Sequence, residues 1–122
     1  MASHRPHRLG PSHSGTGHWW HQRLTALALI PLTLFFVGLL PSMAGATYRE
    51  FIALMHIPVT PVALILLVGV GLWHMQLGVQ NVIDDYVHNE ALKVGLQIAL
   101  VFAAVLLGVA GLVAVIMLAA RG

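Results

Sequence analysis

Three long runs of apolar residues, separated by short polar stretches, make up most of the chain. They cover about residues 23–41, 58–83 and 91–120. Because about 20 predominantly apolar residues in a helix span the hydrocarbon core of a bilayer, each run is long enough to cross a membrane. The pattern predicts an all-α integral membrane protein with three transmembrane helices.

The first polar stretch, residues 1–17, is rich in His, Ser, Gly, Pro and Arg and has almost nothing to bury. It is predicted to be a flexible tail that precedes a membrane anchor formed by residues 18–122. Its histidines His4, His7 and His13 have no carboxylate or cysteine beside them and match no ligand spacing. A solvated basic tail is therefore favoured over a metal site.

Prolines mark the first two apolar runs. Pro31 is expected to kink the first span and Pro41 to end it, because proline lacks the amide donor that a helix interior needs. Pro58 and Pro61 lie where the second span starts, and a missing donor costs least there. Between these two spans, a short amphipathic helical turn is expected at about residues 48–55.

The basic residues predict the orientation, because three spans place the two termini on opposite sides of the membrane. One side would carry Arg5, Arg8, Arg23 and Lys93, and the other Arg49 and Arg121. The positive-inside rule then places the N-terminus and the turn before the third span in the cytoplasm. On the opposite side, the polar residues Arg49, Glu50 and His56 are expected to be ordinary solvated side chains.

Composition narrows the function classes. The chain is 58% apolar and 8% charged, against about 25% charged residues in a soluble domain. It has no cysteine, which excludes disulfides, iron–sulfur clusters and thiolate metal sites within the chain. A formal charge of +2 is too small to indicate a nucleic-acid partner. With no Arg-rich, Ser-rich amphipathic presequence, a multi-pass protein of a bacterial inner membrane is expected rather than a mitochondrial one.

The second span contains a histidine, His74, about eleven residues before the carboxylate of Asp85. A helical rotation of 100° per residue places both on one stripe, and the histidine lies about 16 Å from Asp85 along the helix. This distance is half the thickness of a bilayer core. His74 could donate a packing hydrogen bond, shuttle a proton or bind a metal. The proton relay is the weakest hypothesis, because the spans contain no other titratable group at this depth.

Two glycines flank the histidine on its own face. Gly71 and Gly78 lie at positions i−3 and i+4 from His74 and would let a flat macrocycle approach the helix. Close helix packing would explain the glycines equally well. Haem iron between helices commonly takes one axial imidazole from each side. The chain has one imidazole at this depth, so a bound haem would need its second axial ligand from another chain.

A polar rim follows the second span. The predicted topology brings Arg23, at the start of the first span, to the same membrane face as Asp85 and Tyr86. A phenol, a carboxylate and a guanidinium at this boundary could hydrogen-bond the carbonyl of an amphipathic molecule. In the alternative interpretation, Tyr86 is an interfacial aromatic and Asp85 is solvated. Arg23 would then snorkel beside the interfacial anchor Trp19 and Trp20.

The histidine followed at this spacing by Asp85-Tyr86-Val87, with the His-Trp-Trp-His-Gln-Arg-Leu-Thr-Ala sequence that opens the first span, resembles one known family. The chain looks like a succinate dehydrogenase hydrophobic membrane anchor subunit, the partner of the cytochrome b556 subunit. The resemblance extends over about residues 17–120 and includes three spans of the expected lengths.

The resemblance implies a role for each candidate residue. His74 would be an axial ligand of a b-type haem that is shared with the sister anchor subunit, with Gly71 and Gly78 packing beside it. Tyr86 would hydrogen-bond a carbonyl of ubiquinone, and Asp85 would support that site or its protons. Arg23 would lie near the haem propionates and the quinone pocket.

The implied function is that of a membrane anchor in succinate:ubiquinone oxidoreductase, respiratory complex II, which joins the tricarboxylic acid cycle to electron transport. Succinate would be oxidised on a flavoprotein subunit, with electrons passing through an iron–sulfur subunit, so this chain would not be catalytic alone. One alternative is the anchor of a fumarate reductase, which uses the same electron path. Another is a structural or assembly membrane protein in which His74 only forms a hydrogen bond, and it predicts no haem spectrum.

Overall fold

The structure, a computed structural model, describes the backbone of residues 13–121 and the side chains of residues 16–121. These residues form four helices and no strand: α1 (His13–Met43), α2 (Tyr48–Met55), α3 (Val59–Tyr86) and α4 (Glu90–Ala120). Three segments, Thr16–Met43, Val59–Tyr86 and Glu90–Ala120, are long and apolar enough to cross a membrane. The predicted all-α fold with three candidate spans is confirmed, whereas the cytoplasmic N-terminus stays a prediction.

Helix α1 begins before the apolar run that it contains. It begins at His13, so the last five residues of the predicted flexible tail are helical. The reason is that extending an existing helix adds one hydrogen bond per residue without a new nucleation cost. Residues 1–12, with His4 and His7, lie outside the described residues.

Helix α1 continues for two residues past Pro41, which was predicted to end the first span. The helix includes both Pro31 and Pro41 and ends at Met43. A proline this close to the C-terminus removes one amide donor but leaves the last carbonyls free to accept other bonds. The chain turns instead at Gly45, whose φ of +76° is disfavoured for residues with a Cβ.

The predicted amphipathic turn is the two-turn helix α2, which starts with a capping box. The hydroxyl of Thr47 accepts the amide of Glu50 at 3.3 Å, and the Glu50 carboxylate accepts the amide of Thr47 at 2.7 Å. These bonds to Thr47 lower the pKa of Glu50 from its usual 4.5. Ile52 and Met55 are the buried residues of this helix, which packs against α3 and α4.

Helix α3 is the central element, because it packs against both α1 and α4. Few side chains are buried in the described part of the chain, and most large apolar ones are exposed. The buried apolar residues are Ile52, Met55, Leu77, Ile83, Ala104 and Val115. Such an exposed apolar surface fits a protein whose helices face lipid or other membrane helices.

Two glycines of α4 set its distance from α3. A Cβ added at Gly111 would lie 2.9 Å from Cγ1 of Val68, and one at Gly108 would lie 3.5 Å from Cδ1 of Leu72. The first distance is shorter than ordinary carbon contacts, so glycine is required for the observed approach. Small residues serve this purpose at many membrane helix interfaces.

Candidate functional site

His74 is hydrogen-bonded to α1. Its Nδ1 lies 2.8 Å from the hydroxyl oxygen of Thr25, which is only 3% exposed. The same hydroxyl lies 2.7 Å from the carbonyl oxygen of His21 and 3.1 Å from that of Gln22. A threonine hydroxyl has one proton, and carbonyls can only accept, so Thr25 donates to its own helix and accepts from Nδ1–H of His74.

This hydrogen bond assigns the tautomer of the imidazole. With the proton of His74 on Nδ1, the lone pair is on Nε2, which forms no hydrogen bond among the described residues. The bond is the interhelical contact that the packing hypothesis required. It is also the kind of contact that orients metal-bound histidines, in which the nitrogen away from the metal donates to an oxygen.

The described residues include no group of three His, Cys, Asp or Glu side chains that could hold a metal ion. A metal on Nε2 of His74 would therefore need its remaining ligands from a prosthetic group and from another chain. This requirement agrees with the prediction that the chain supplies one imidazole, and it excludes a protein-only metal cage among these residues.

The polar contact continues along α1 towards its N-terminus. His18, Gln22 and Thr25 are spaced four and three residues apart, which places them on one face of the helix. Nε2 of His18 and Oε1 of Gln22 are buried and have no hydrogen-bond partner among the described residues. We call these three residues with His74 the α1–α3 seam.

Unpartnered buried polar atoms are rare, because burial without a hydrogen bond is costly. The two in the seam therefore indicate a place for water or for a polar group from outside the chain. Sequence reasoning missed His18, Gln22 and Thr25 as site residues. Their helical spacing at the start of the first span was visible in the sequence. It does not identify a site until α1 is known to pack against α3.

Gly71 and Gly78 also face α1. A Cβ at Gly71 would lie 3.9 Å from Cδ2 of Leu29, and one at Gly78 would lie 3.8 Å from Nε2 of Gln22. Side chains of α1 thus occupy the space beside both glycines. The glycines allow close packing of the two helices, and their contact with a macrocycle stays a prediction.

The sequence analysis predicted that Arg23 lies at the rim with Asp85 and Tyr86. The structure does not place its backbone there. The antiparallel register of α1 and α3 places it level with Leu77, about eight residues and 12 Å along the axis from Asp85. The backbone of Arg23 therefore lies about two helical turns deeper than the rim. The prediction took the start of the apolar run as the end of the helix, whereas α1 begins ten residues earlier, at His13.

The guanidinium of Arg23 lies 5.1 Å from the ring centre of Trp19, in a cation–π arrangement. The indoles of Trp19 and Trp20 are in contact edge to face, with ring centres 5.1 Å apart. This cluster fits the predicted interfacial anchor. It also holds a cation whose backbone lies within one turn of the level of His74.

The C-terminal end of α3 presents Asp85 and Tyr86 to the outside. Both are exposed, and Tyr86 is 78% exposed. The neighbouring Asp84 behaves differently, because its carboxylate accepts a hydrogen bond of 2.8 Å from the amide of Gln97 on α4. Asp84 thus joins two helices, whereas Asp85 and Tyr86 remain accessible to a partner molecule.

The opposite end of the bundle is more ordered than the sequence predicted. Nη1 of Arg121 donates to the hydroxyl of Tyr48 at 3.0 Å, and Nε2 of His56 is hydrogen-bonded to the carbonyl oxygen of Arg121. The bond to Tyr48 raises the pKa of Arg121 above its usual value. Glu50 and His56 are therefore not simply solvated residues, because Glu50 caps α2 and His56 joins it to the end of α4.

The fold and these contacts define a class of protein: a three-span membrane subunit with a polar helix seam and an exposed polar rim. The family model for the succinate dehydrogenase/fumarate reductase transmembrane subunit matches residues 2–118. The chain belongs to this family.

Three individual relatives have names that are more specific than the description of the family model. The succinate dehydrogenase hydrophobic membrane anchor subunit of Rickettsia bellii is 32% identical over 106 residues, covering 87% of this chain and 85% of the relative. The protein of that name from Paracoccus denitrificans is 30% identical over 94 residues, covering 77% and 73%. The succinate dehydrogenase membrane anchor subunit of Reclinomonas americana is 29% identical over 91 residues, covering 66% and 70%. The predicted resemblance to this kind of membrane anchor is confirmed.

Proposed function

We propose that this membrane anchor belongs to a succinate:ubiquinone oxidoreductase, shares a b-type haem with a cytochrome b556 subunit and forms part of the ubiquinone-reduction site. The observation that carries the haem assignment is the hydrogen bond between Thr25 and Nδ1 of His74. It leaves Nε2 as the ligand atom, at a depth where a histidine is costly without a function.

The residues of the chain fit a haem in three respects. Nε2 of His74 would hold the haem iron, and the porphyrin and a partner subunit would supply the remaining ligands. Thr25 fixes the ring in the required tautomer. Arg23 lies within one turn of the level of His74 and would offer a cation to the propionates. When bound, the haem would supply one-electron transfer.

The quinone assignment is supported by the rim. The exposed hydroxyl of Tyr86 is free to donate a hydrogen bond to a quinone carbonyl, and Asp85 is placed to support that site or its protons. Arg23, whose backbone lies about 12 Å along the axis from this rim, would serve the haem propionates and the quinone pocket. The quinone tail would lie in lipid beside the apolar part of α3.

The remaining parts of the function would belong to other chains. A flavoprotein subunit would oxidise succinate, and an iron–sulfur subunit docked on the rim would carry electrons towards the quinone. The complex would lie in a bacterial inner membrane and would join the tricarboxylic acid cycle to electron transport. A fumarate reductase anchor is the second candidate, because the matching family model covers both enzymes.

The haem assignment is tested by a dithionite-reduced minus oxidised spectrum of the complex purified through this chain. We expect a b-type α-band in the wild type and its loss or shift in His74→Ala. His88→Ala is the matched control, because His88 is exposed in the turn between α3 and α4. A wild type without haem, or an unchanged spectrum in His74→Ala, would refute ligation and favour the structural alternative.

The quinone assignment is tested by Tyr86→Phe, which removes one hydroxyl. Loss of one hydrogen bond, worth about 1.4 kcal/mol, should lower kcat/KM for ubiquinone about tenfold. Succinate oxidation with an artificial acceptor that bypasses the quinone should be unaffected. Equal losses in both assays would mean that Tyr86 acts on assembly rather than on quinone.

A further inference from the structure

A second polar feature lies between α3 and α4, away from the seam. It is a groove with a cavity volume of about 420 Å³. Its polar lining consists of Gln76 and Gln80 from α3 and Gln97 from α4, all of them half-buried. Of the three, only Gln97 forms a side-chain hydrogen bond within the described residues, to Asp84. We call this feature the amide groove.

The amide groove faces a different direction from the haem ligand. A rotation of 100° per residue places Gln76 about 160° and Gln80 about 120° from His74 around α3. The α1–α3 seam therefore cannot satisfy these two amides. Whatever covers the groove approaches from another side of the subunit.

The two free amides lie deep along α3. Measured from Asp84 at the rim, Gln80 is about 6 Å and Gln76 about 12 Å further into the span. Lipid chains offer no hydrogen bond at these depths, so amides that faced lipid would remain unsatisfied. Polar side chains inside a span usually face another part of a protein.

The groove continues towards the middle of the membrane. A second cavity of about 170 Å³ shares Gln76 and is lined in addition by the small residues Gly69, Ala104 and Gly108. From Gln80 to Gly69 the combined groove follows eleven residues of α3, or about 16 Å. This length equals three turns of a helix, and the small residues permit close approach by a backbone.

We propose that the amide groove receives a transmembrane helix of another subunit, whose polar side chains hydrogen-bond Gln76 and Gln80 on successive turns. A lipid or quinone head group would reach only the rim, whereas a helix presents polar atoms at both depths. A second copy fits less well, because a two-fold interface would place groove against groove and leave both unfilled. The proposal rests on the proposed function only for the existence of partner subunits.

The test is site-specific photo-cross-linking in the membrane-bound complex. A diazirine amino acid is incorporated at Val101, which lines the groove, or at Leu106, which is 71% exposed. Leu106 lies about 140° away around α4 and is the matched control. We expect covalent linkage to another subunit from position 101 and lipid adducts only from position 106.

A double variant, Gln76→Leu with Gln80→Leu, tests the amides themselves. It should lose most of the cross-linked product from position 101. Val82→Leu should retain it, because the exposed Val82 lies about 120° from Gln76 and 160° from Gln80 around α3. Lipid adducts alone at position 101, linkage to a second copy, or equal subunit linkage from both positions would overturn the proposal. The haem spectrum of the same samples separates the two assignments, since subunit linkage without haem would refute only the proposed haem site.

Discussion

Helix α3 has two interfaces, and they are built from different chemistry. Towards α1 it uses the polar seam, in which Thr25 and His74 share a hydrogen bond of 2.8 Å. Towards α4 the polar contact of Asp84 with Gln97 is confined to the rim end. Deeper in the pair, Gly111 brings the backbone so close to Val68 that a Cβ would lie 2.9 Å away. The equivalent distance on the α1 side, at Gly71, is 3.9 Å.

This difference separates two tasks within one small subunit. Tight apolar packing against α4 fixes where α3 lies, because van der Waals contact falls off steeply with distance. The looser polar contact with α1 fixes the orientation and the tautomer of one imidazole. The seam also contains the unpartnered atoms of His18 and Gln22, so it contributes less to stability than a fully bonded interface would.

Of the substitutions that test this difference between the two interfaces, Gly111→Ala is expected to have the largest effect on stability. The added methyl group would meet Val68, whose β-branched side chain has little freedom to move aside. Overpacking of this kind costs about 1–3 kcal/mol. We expect a lower thermal midpoint of the purified complex, with partial rescue by Val68→Ala.

The control for Gly111→Ala is Gly95→Ala in the same helix, because no heavy atom lies within 4 Å of a Cβ built there. Equal thermal midpoints for the two variants would show that α4 does not depend on close contact with α3.

A smaller and more specific effect is expected from Thr25→Val, which keeps the shape of the side chain and removes its hydroxyl. A hydrogen bond between membrane helices is worth about 1 kcal/mol, or about a fivefold change in an equilibrium constant. We expect about fivefold weaker haem retention and a shifted spectrum, with little change in the thermal midpoint of the apoprotein. Thr25→Ser should restore both the haem retention and the spectrum of the wild type.

The matched control is Thr33→Val, because Thr33 lies on α1 but is exposed away from His74. If the variants at positions 25 and 33 retained haem equally well, the tautomer argument would be wrong.

The smallest effect is expected at the end of the α3–α4 pair, where α2 packs. Bonds from Thr47 lower the pKa of Glu50, so the carboxylate stabilises the start of α2 above pH 4.5 and loses this contribution as the pH falls through the lowered value. The protection factors of the α2 amides, which correct for the slower intrinsic exchange in acid, should therefore fall on acidification. In Glu50→Gln the protection factors should already be lower at neutral pH and change little with acid.

This acid response should leave the hydrogen bond of Thr25 with His74 unaffected, because α2 packs against α3 and α4. If the protection factors of the α2 amides in the wild type did not change with acid, the role of the Glu50 carboxylate in the cap would be contradicted.

The features that depend on local sequence pattern could be predicted from the sequence alone. Apolar run lengths located three candidate spans, and the resemblance based on His74, Asp85 and Tyr86 indicated the family that the family model confirms. Features that depend on the register between helices were missed. The depth of Arg23 was predicted from the start of its apolar run, and the true value follows from how far α1 extends.

The same reason explains why the seam was not found. Thr25 and His74 are 49 residues apart in the chain, so no local periodicity relates them. The packing of α2 onto α4, with the bonds of Arg121 to Tyr48 and His56, is equally non-local. Hydrophobic pattern determines which segments enter a membrane, whereas the shapes of facing side chains determine how the segments pair.

The separation of Thr25 and His74 also has a consequence for the synthesis of the protein. At about 5–20 residues per second, the 49 residues that follow Thr25, up to and including His74, take about 2–10 s to make. During this interval α1 has no partner, but the hydroxyl of Thr25 already bonds the carbonyl of His21 within its own helix. The imidazole of His74 emerges later and meets an oxygen that is already in place. The order of the two helices in the chain therefore spares the ribosome-bound intermediate an unpaired histidine in the membrane.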